Sequence, residues 1–472
     1  MEQLSPLDAG FLEAEDSDPH VSLAVGGVSV LAGPAPEFAE LLAEIADRAH
    51  GISRFTQRVR MHPLDLEPPE WVPDPCFDIA HHVHRAALPA PGDDAEFFAL
   101  VARLMEGRLD RERPLWRCWI IEGLTDGRWA VLVKIHHCIA DGIATSQLLG
   151  RLFDDDGGPR STFVSEIRAA KTPDPPAPTF PRPSLNPLKW AGELWQVTTS
   201  AADAVERAVV GAAELTVGVL SGAPDTSLRG SVSRMRRFSA ARVALADLDQ
   251  VCTGFGVTLN DVALAAITAS YRSMLLDRGE VPSAAALRTL VPVSVRAMGD
   301  LGVADNRVAV MLPLLPVDEP DPVTRLTIVH ERLTRVKGSG QREGVSALVK
   351  AAQNIPFALT AWAVRLLIRF PQRSVTALAT NVPGPRTRQR LMGREVLEMI
   401  PIPPLALQLR TGIAMLSYAD QFFFGVLADY DSAPDVDVLA EGIEAEVANL
   451  AGLSRQRTKR REPSGRPPAS AS

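Results

Sequence analysis

The sequence predicts a two-domain α/β protein, and three observations lead there: a length of 472 residues, strand-like runs alternating with helix-like ones in both halves, and a Gly-, Pro- and Ser-rich interval at 154–187. A single hydrophobic core stops growing at about 250–300 residues, so a chain of this size folds around more than one. Hydrophobic residues at 46% and charged residues at 22% describe a folded globular protein rather than a disordered chain or a membrane bundle.

Residues 4–13 read as a short amphipathic start, and 21–31, small and β-branched, as a strand broken by Pro34 and Pro36. Over 37–50, Phe38, Leu41, Leu42, Ile45 and Ala49 recur at helical spacing and predict a helix with one apolar stripe against a sheet. The Pro-rich stretch 63–75 reads as a loop. Phe97, Leu100, Val101, Leu104 and Met105 predict a second helix over 94–109, just before Pro114-Leu115-Trp116. Strands follow at 119–123 and 129–135, separated by Asp126-Gly127, a pair suited to the positive φ angles of a tight turn. The second strand runs directly into His136-His137, and helical spacing resumes over 143–153. This run therefore sits where a rigid strand end meets an open loop, a common place for chemistry.

Residues 154–187 read as a linker, 188–220 as one or two bridging helices carrying Trp190 and Trp195, and 221–230 as a second linker. Beyond it come a strand at 237–244, a long helix at 259–276, strands at 290–296 and 308–315, helices at 322–336 and 345–370, and a strand at 422–428. A polar, basic, Pro-rich tail at 454–472 is expected to be disordered. The expected partition is thus a first domain at 1–153, a linker with bridging helices at 154–230, a second domain at 231–453 and the tail.

A net charge of -8 argues against nucleic acid as a partner, because neutralising phosphates needs a basic surface. The N-terminus lacks the basic and apolar regions of a signal peptide, and no run of about 18 apolar residues is present, so a cytoplasmic protein without a membrane span is expected. Cys76, Cys118, Cys138 and Cys252 form no Cys-x-x-Cys pair and suggest neither a disulfide framework nor a cysteine zinc site.

Chemistry centres on His136-His137-Cys138-Ile139-Ala140-Asp141-Gly142. A neutral imidazole beside an acceptor hydroxyl can take its proton as that hydroxyl attacks a carbonyl, and a carboxylate a turn beyond can fix the loop. His137 and Asp141 have that spacing. Transfer from a thioester needs little more than such a base and an oxyanion donor, since the thiolate leaves readily. The bland alternative stands beside it: two partly buried histidines, with Asp141 capping the helix that starts near Gly142. Adjacent strand residues face apart, which disfavours one metal ion held by both rings. His81, His82 and His84 read as the polar face of a strand, and Cys138 as a small core residue rather than a nucleophile. Gly338-Ser339-Gly340 lacks the context of a nucleophile elbow.

Further motifs stand in a fixed order: Leu4-Ser5-Pro6-Leu7-Asp8-Ala9-Gly10-Phe11, Trp71-Val72-Pro73-Asp74-Pro75, Phe77-Asp78-Ile79, Pro114-Leu115-Trp116, Leu259-Asn260-Asp261-Val262, the segment 291–296 and Asn381-Val382-Pro383-Gly384-Pro385. With the His-His-x-x-x-Asp-Gly run, they make the chain resemble the bacterial wax ester synthase/diacylglycerol acyltransferase family over almost its entire length. The resemblance implies two domains of the chloramphenicol-acetyltransferase and condensation type, mixed sheets flanked by helices, with a tunnel between them for acyl-CoA and the acceptor. It implies His137 as general base, His136 as its support, and Asp141 as an orienting group with Arg296 as candidate partner. Asn260 is implied near the tunnel, as an oxyanion donor or as a helix cap. His136 also stands four residues before Asp141, the spacing of another class of glycerolipid acyltransferase, but that class brings membrane spans and lacks the later motifs.

The implied reaction joins a long-chain acyl group from acyl-CoA to 1,2-diacylglycerol, or to a long-chain alcohol to give a wax ester. Acyl-CoA is a substrate, and neither cofactor nor metal is expected. A lipid acceptor implies a peripheral membrane or lipid-droplet association. Residues 355–370, with Phe357, Trp362, Leu366 and Phe370 among Arg365 and Arg369, are either that contact or a core helix. Two other readings share the fold: transfer to a specialised polyketide or glycolipid hydroxyl, and a non-catalytic lipid or CoA binder.

Overall fold

The computed structural model describes residues 2–62, 67–139, 150–154, 226–294, 308–338, 375–406 and 408–461. Three short strands, β1 (Glu2–Gln3), β3 (Gln57–Arg60) and β4 (Glu70–Pro73), make a small antiparallel sheet in the order β1-β4-β3. β4 falls within the stretch expected to be a loop. It is flanked by β3, the preceding strand, and by β1 from the start of the chain, a pairing that local proline content could not reveal.

The first large sheet runs β12 (Arg390–Leu391), β13 (Arg394–Ile402), β2 (Ala24–Leu31), β7 (Trp129–His136), β6 (Trp116–Glu122), β5 (Val83–Ala87). Only the β5–β6 pair is parallel. Every residue of β7 is buried, so Trp-Ala-Val-Leu-Val-Lys-Ile-His reads as a near-continuous apolar run instead of an alternating one. Asp126 at φ 61° and Gly127 at φ 66° make the turn between β6 and β7, as their sequence predicts. α2 (Phe38–His50) buries Leu41, Ile45 and Ala49, and α3 (Asp94–Glu106) buries Phe97, Phe98, Val101, Ala102 and Met105. α3 is capped by Asp93 at its start. At its other end the Lys134 ammonium from β7 donates to the carbonyls of Leu104 at 3.1 Å, Met105 at 3.0 Å and Gly107. A buried amine, its pKa pushed down to about 7 by burial, thus serves carbonyls at the end of the helix.

The second large sheet runs β10 (Val308–Met311), β9 (Thr289–Ser294), β11 (Ala377–Val382), β14 (Thr411–Tyr418), β15 (Gln421–Asp429), β8 (Arg236–Ala244). β11 is parallel to both of its neighbours. Its apolar core takes in α4 (Leu245–Phe255), α5 (Leu259–Asp277), α6 (Pro322–Gly338) and α7 (Val436–Arg461). α5 is buried on nearly all sides from Asp261 to Tyr271, which is why its apolar and small residues show no clean stripe. The expected disorder from 454 onward is corrected by α7, which continues to Arg461. Ser454 is buried and its hydroxyl donates to the Gln250 carbonyl at 2.8 Å, so the polar composition marks an exposed face of a packed helix. The expected helix at 345–370, residues 155–225 of the expected linker at 154–230 and the tail beyond 461 lie outside the described residues.

β13 joins the two sheets. It comes from the second half of the chain yet pairs antiparallel with β2, Ile400 opposite Val28. The Arg242 guanidinium of β8 reaches Asp94 of α3 at 2.9 Å and Glu398 of β13 at 3.0 Å, tying β8, α3 and β13 with charge. The closest approach is at Gly425 in β15, where an added Cβ would lie 1.7 Å from the Pro401 carbonyl oxygen. A mid-strand glycine marks such an approach, and backbone cannot step aside for a methyl group. Gly425→Ala is therefore expected to lower unfolding stability by about 2–3 kcal/mol. Urea unfolding checks this, and an unchanged midpoint would contradict the inter-sheet contact.

Candidate active site

The site is built where β7 stops. The β2–β7 ladder pairs Ala24 with His136, and one further bond, the His137 N–H to the Leu23 carbonyl at 3.0 Å, carries it past the strand end. The His136 N–H donates to the Leu115 carbonyl at 2.9 Å, so Pro114-Leu115-Trp116 backs the histidine run from the other side. Trp116 is fully buried, stacked on Phe55 at 4.5 Å and on His82 at 4.6 Å, with its indole N–H donated to the Phe55 carbonyl. His82 in turn stacks on Phe77 at 5.3 Å and bonds the Trp116 carbonyl. Burial lowers its pKa, and it packs as a structural histidine.

The two adjacent histidines meet different surroundings. His136 is 1% exposed. Its Nδ1 accepts the Cys138 N–H at 3.1 Å, which requires a lone pair there and puts the ring proton on Nε2. That Nε2 faces Glu15 Oε2 at 3.5 Å. His137 is half-buried, and its ring lies over Phe11 at 4.4 Å with the planes 25° apart.

Phe11 and Glu15 come from α1 (Pro6–Ser17), whose start explains the first motif. Ser5 is the N-cap, its hydroxyl accepting the Asp8 N–H at 3.1 Å, and Pro6 takes the first helical position. The motif is a helix-start signal that aims Phe11 at His137. Burial pushes the Glu15 carboxyl up, but bonds and charge from His136, the Leu23 N–H and Arg111 outweigh it and hold it at about 2. Sequence reasoning missed Glu15. Its signal is spacing, since positions 11 and 15 are four apart and share one face of α1.

A second constellation lies at the start of α5. Thr258 caps the helix in a capping box with Asp261, so the alternative that Asn260 is the cap falls away. Asn260 stands half-buried in the first turn, its Oδ1 3.5 Å from Nδ2 of Asn381 at the end of β11. The Asn-Asp motif and the late Asn-Val-Pro-Gly-Pro motif, distant in sequence, thus meet. Asp261 is 1% exposed and also accepts from His330 of α6 at 2.7 Å, a partner no sequence pattern indicated. Asp141, Gly142 and Arg296 lie outside the described residues.

Comparison with known proteins gives a consistent picture. The family model described as the wax ester synthase/diacylglycerol acyltransferase catalytic domain matches residues 4–263, and that of the WS/DGAT C-terminal domain matches 304–451. The protein named "Probable diacyglycerol O-acyltransferase tgs1" of Mycobacterium tuberculosis (strain ATCC 25618 / H37Rv) is 51% identical over 463 residues, 98% of each chain. Rv3371 of the same strain is 42% identical over 454 residues, 96% of this chain and 92% of its own. Among solved structures, the wax ester synthase/diacylglycerol acyltransferase from Marinobacter aquaeolei VT8 superposes with a TM-score of 0.67 at 24% identity, covering 96% of this chain and all of its own. The first condensation domain of the calcium-dependent antibiotic synthetase gives 0.62 at 14%, covering 95% and 96%. At these identities the structural likeness shows the fold alone, mixed sheets flanked by helices of the condensation type.

Cys138, next to the histidines, is buried, and burial pushes its thiol well above the ordinary value, so no thiolate is at hand for nucleophilic attack. Cys76 is exposed. Brief maleimide treatment of the native protein is expected to modify Cys76, spare Cys138 and leave activity intact, as read by peptide mass mapping. Inactivation that tracks modification of Cys138 would overturn its structural role.

Proposed function

The chain belongs to the wax ester synthase/diacylglycerol acyltransferase family, and from that premise we propose its reaction and the residues that perform it. It is an acyl-CoA-dependent O-acyltransferase. It moves a long-chain acyl group from acyl-CoA to 1,2-diacylglycerol, giving triacylglycerol and free CoA, with wax ester formation from a long-chain alcohol as a second activity.

The observation that carries the assignment of the base is the unequal state of the two histidines. His136 is sealed and the lone pair of its ring is taken by the Cys138 N–H, so it has none to offer a substrate. His137, half-buried against Phe11, is the ring a substrate can reach. His137 takes the acceptor's hydroxyl proton as the oxygen attacks the thioester carbonyl. The tetrahedral intermediate then collapses, the C–S bond breaks, and the imidazolium returns the proton to the departing thiolate. Because the thioester is already activated, this chemistry needs no cofactor.

Asn260 is the proposed oxyanion donor. With Oδ1 turned to Asn381, its Nδ2 group can donate to the developing negative charge, beside the open N–H groups and positive end of α5. Asp141 is assigned to orienting the loop after His137, with Arg296 as its partner, on the family pattern. The proposed domains are 1–153 and 231–453, joined by 154–230, with β12 and β13 contributed by the second to the sheet of the first. An insoluble acceptor requires the protein to work at a membrane or lipid-droplet surface on the cytoplasmic side. No single helix among the described residues is long and apolar enough to cross a membrane, so a peripheral contact through 355–370 is proposed.

The test is release of CoA and formation of lipid product from labelled palmitoyl-CoA with diacylglycerol, hexadecanol and other alcohols. His137→Ala is expected to lower kcat by about a thousandfold or more, whereas His136→Ala retains measurable turnover. The reverse order of damage would overturn the assignment, and tight CoA binding without turnover on any acceptor would point to the non-catalytic reading. Arg365→Glu with Arg369→Glu is expected to weaken sedimentation with anionic liposomes. Unchanged partitioning would remove 355–370 as the membrane contact.

A further inference from the structure

We infer that Glu15 is the positioning residue of this site, one buried carboxylate that fixes His136 through its ring and His137 through its backbone. The inference rests on the reading of His137 as the base. Glu15 Oε1 accepts the Leu23 N–H at 3.0 Å, and the Leu23 carbonyl accepts the His137 N–H at 3.0 Å. One residue therefore separates the carboxylate from the backbone that carries the catalytic ring. Glu15 Oε2 faces His136 Nε2 at 3.5 Å, and the Nδ1 contact from Cys138 turns the ring proton toward it.

The position calls for a carboxylate. Two donors bond Glu15, the Leu23 N–H at 3.0 Å and Arg111 Nη2 at 3.2 Å, and a third nitrogen, His136 Nε2, faces it at 3.5 Å. A carboxylate has lone pairs for all of them and no hydrogen to set against any. Arg111 supplies compensating charge, and its remaining bonds, to Asp16 at 2.7 Å and the Leu12 carbonyl at 3.1 Å, return to the same helix. Arg108 adds bonds to the carbonyls of Glu15, Asp18 and Val21. α1 is thus locked against the segment 108–111, and Glu15 is held where the strand end needs it.

Glu15→Gln keeps size and one acceptor oxygen but points an amide donor at other donors. With palmitoyl-CoA and diacylglycerol it is expected to lose about 10- to 100-fold in kcat, with KM for palmitoyl-CoA within about twofold. Glu15→Asp keeps the charge but not the reach, and is expected to fall between Gln and wild type. In the wild-type chain labelled with 15N-histidine, His136 is expected as the Nε2–H tautomer with a slowly exchanging ring proton, which Glu15→Gln loses. A merely structural role would lower the melting temperature without moving kcat per folded molecule. A folded Glu15→Gln protein with wild-type kcat overturns the inference, and so does a His136 resonance showing the Nδ1–H tautomer in the unaltered protein, which needs no variant to fold. Retained activity in His137→Ala would instead overturn the reading of the base, and leaves the tautomer measurement to stand or fall separately.

Discussion

Everything at this site follows from a hydrogen-bonded ladder that continues one step beyond its strand. β2 and β7 pair from Leu31–Trp129 to Ala24–His136, and the bond between the His137 N–H and the Leu23 carbonyl adds a last rung. A rung in the middle of a buried sheet is rigid because every neighbouring group is also paired. The last rung holds the backbone of His137 with the precision of the sheet while its side chain is only half-buried. Rigid backbone beside an open side chain is the combination that proton transfer to a bound substrate demands.

The same ladder is continuous with the second half of the chain. β13 pairs with the other edge of β2, so the strand that holds His137 from one side is itself held by a segment more than 350 residues later in the sequence. From β13, the close contact of Pro401 with Gly425 and the ion pairs of Arg242 lead to β15 and β8. β11, which carries Asn381, stands two strands from β15 in that sheet. A displacement of the second sheet therefore has a route of packed backbone to the histidine run, with no loop intervening between β13 and β2.

What could be read in advance was what is local. Periodicity found α2, α3, α5 and α6, and the Asp126-Gly127 turn and the strand running into His136-His137 needed only neighbours in sequence. The rest depends on long-range pairing. β4 is completed by Glu2–Gln3 on its far edge, and β13 exists because β2 lies beside it. The polar stretch after 453 looked like a tail because composition does not reveal that Ser454 meets Gln250. The site was legible in the same proportion: the histidines by their motif, Asn260 and Asn381 as separate motifs without their contact. Glu15 escaped because an acidic residue in an amphipathic helix reads as solvated, and its compensating charge, Arg111, lies 96 residues away.

Two neighbouring residues of one type end up with different chemistry for a reason simpler than any specific contact. Successive side chains on a strand face opposite ways, so at the end of a buried strand one of two adjacent histidines points into the protein and the other out of it. The inward ring has two buried nitrogens to compensate: Nδ1 accepts from Cys138, and Nε2 faces the Glu15 carboxylate at 3.5 Å. Those contacts occupy the Nδ1 lone pair and turn Nε2 toward the carboxylate. The second ring is half-buried and lies over Phe11. In a paired histidine motif at a strand end, backbone geometry thus separates two surroundings: the first residue anchors the strand end, and the proposal that the second acts as base rests on that anchoring.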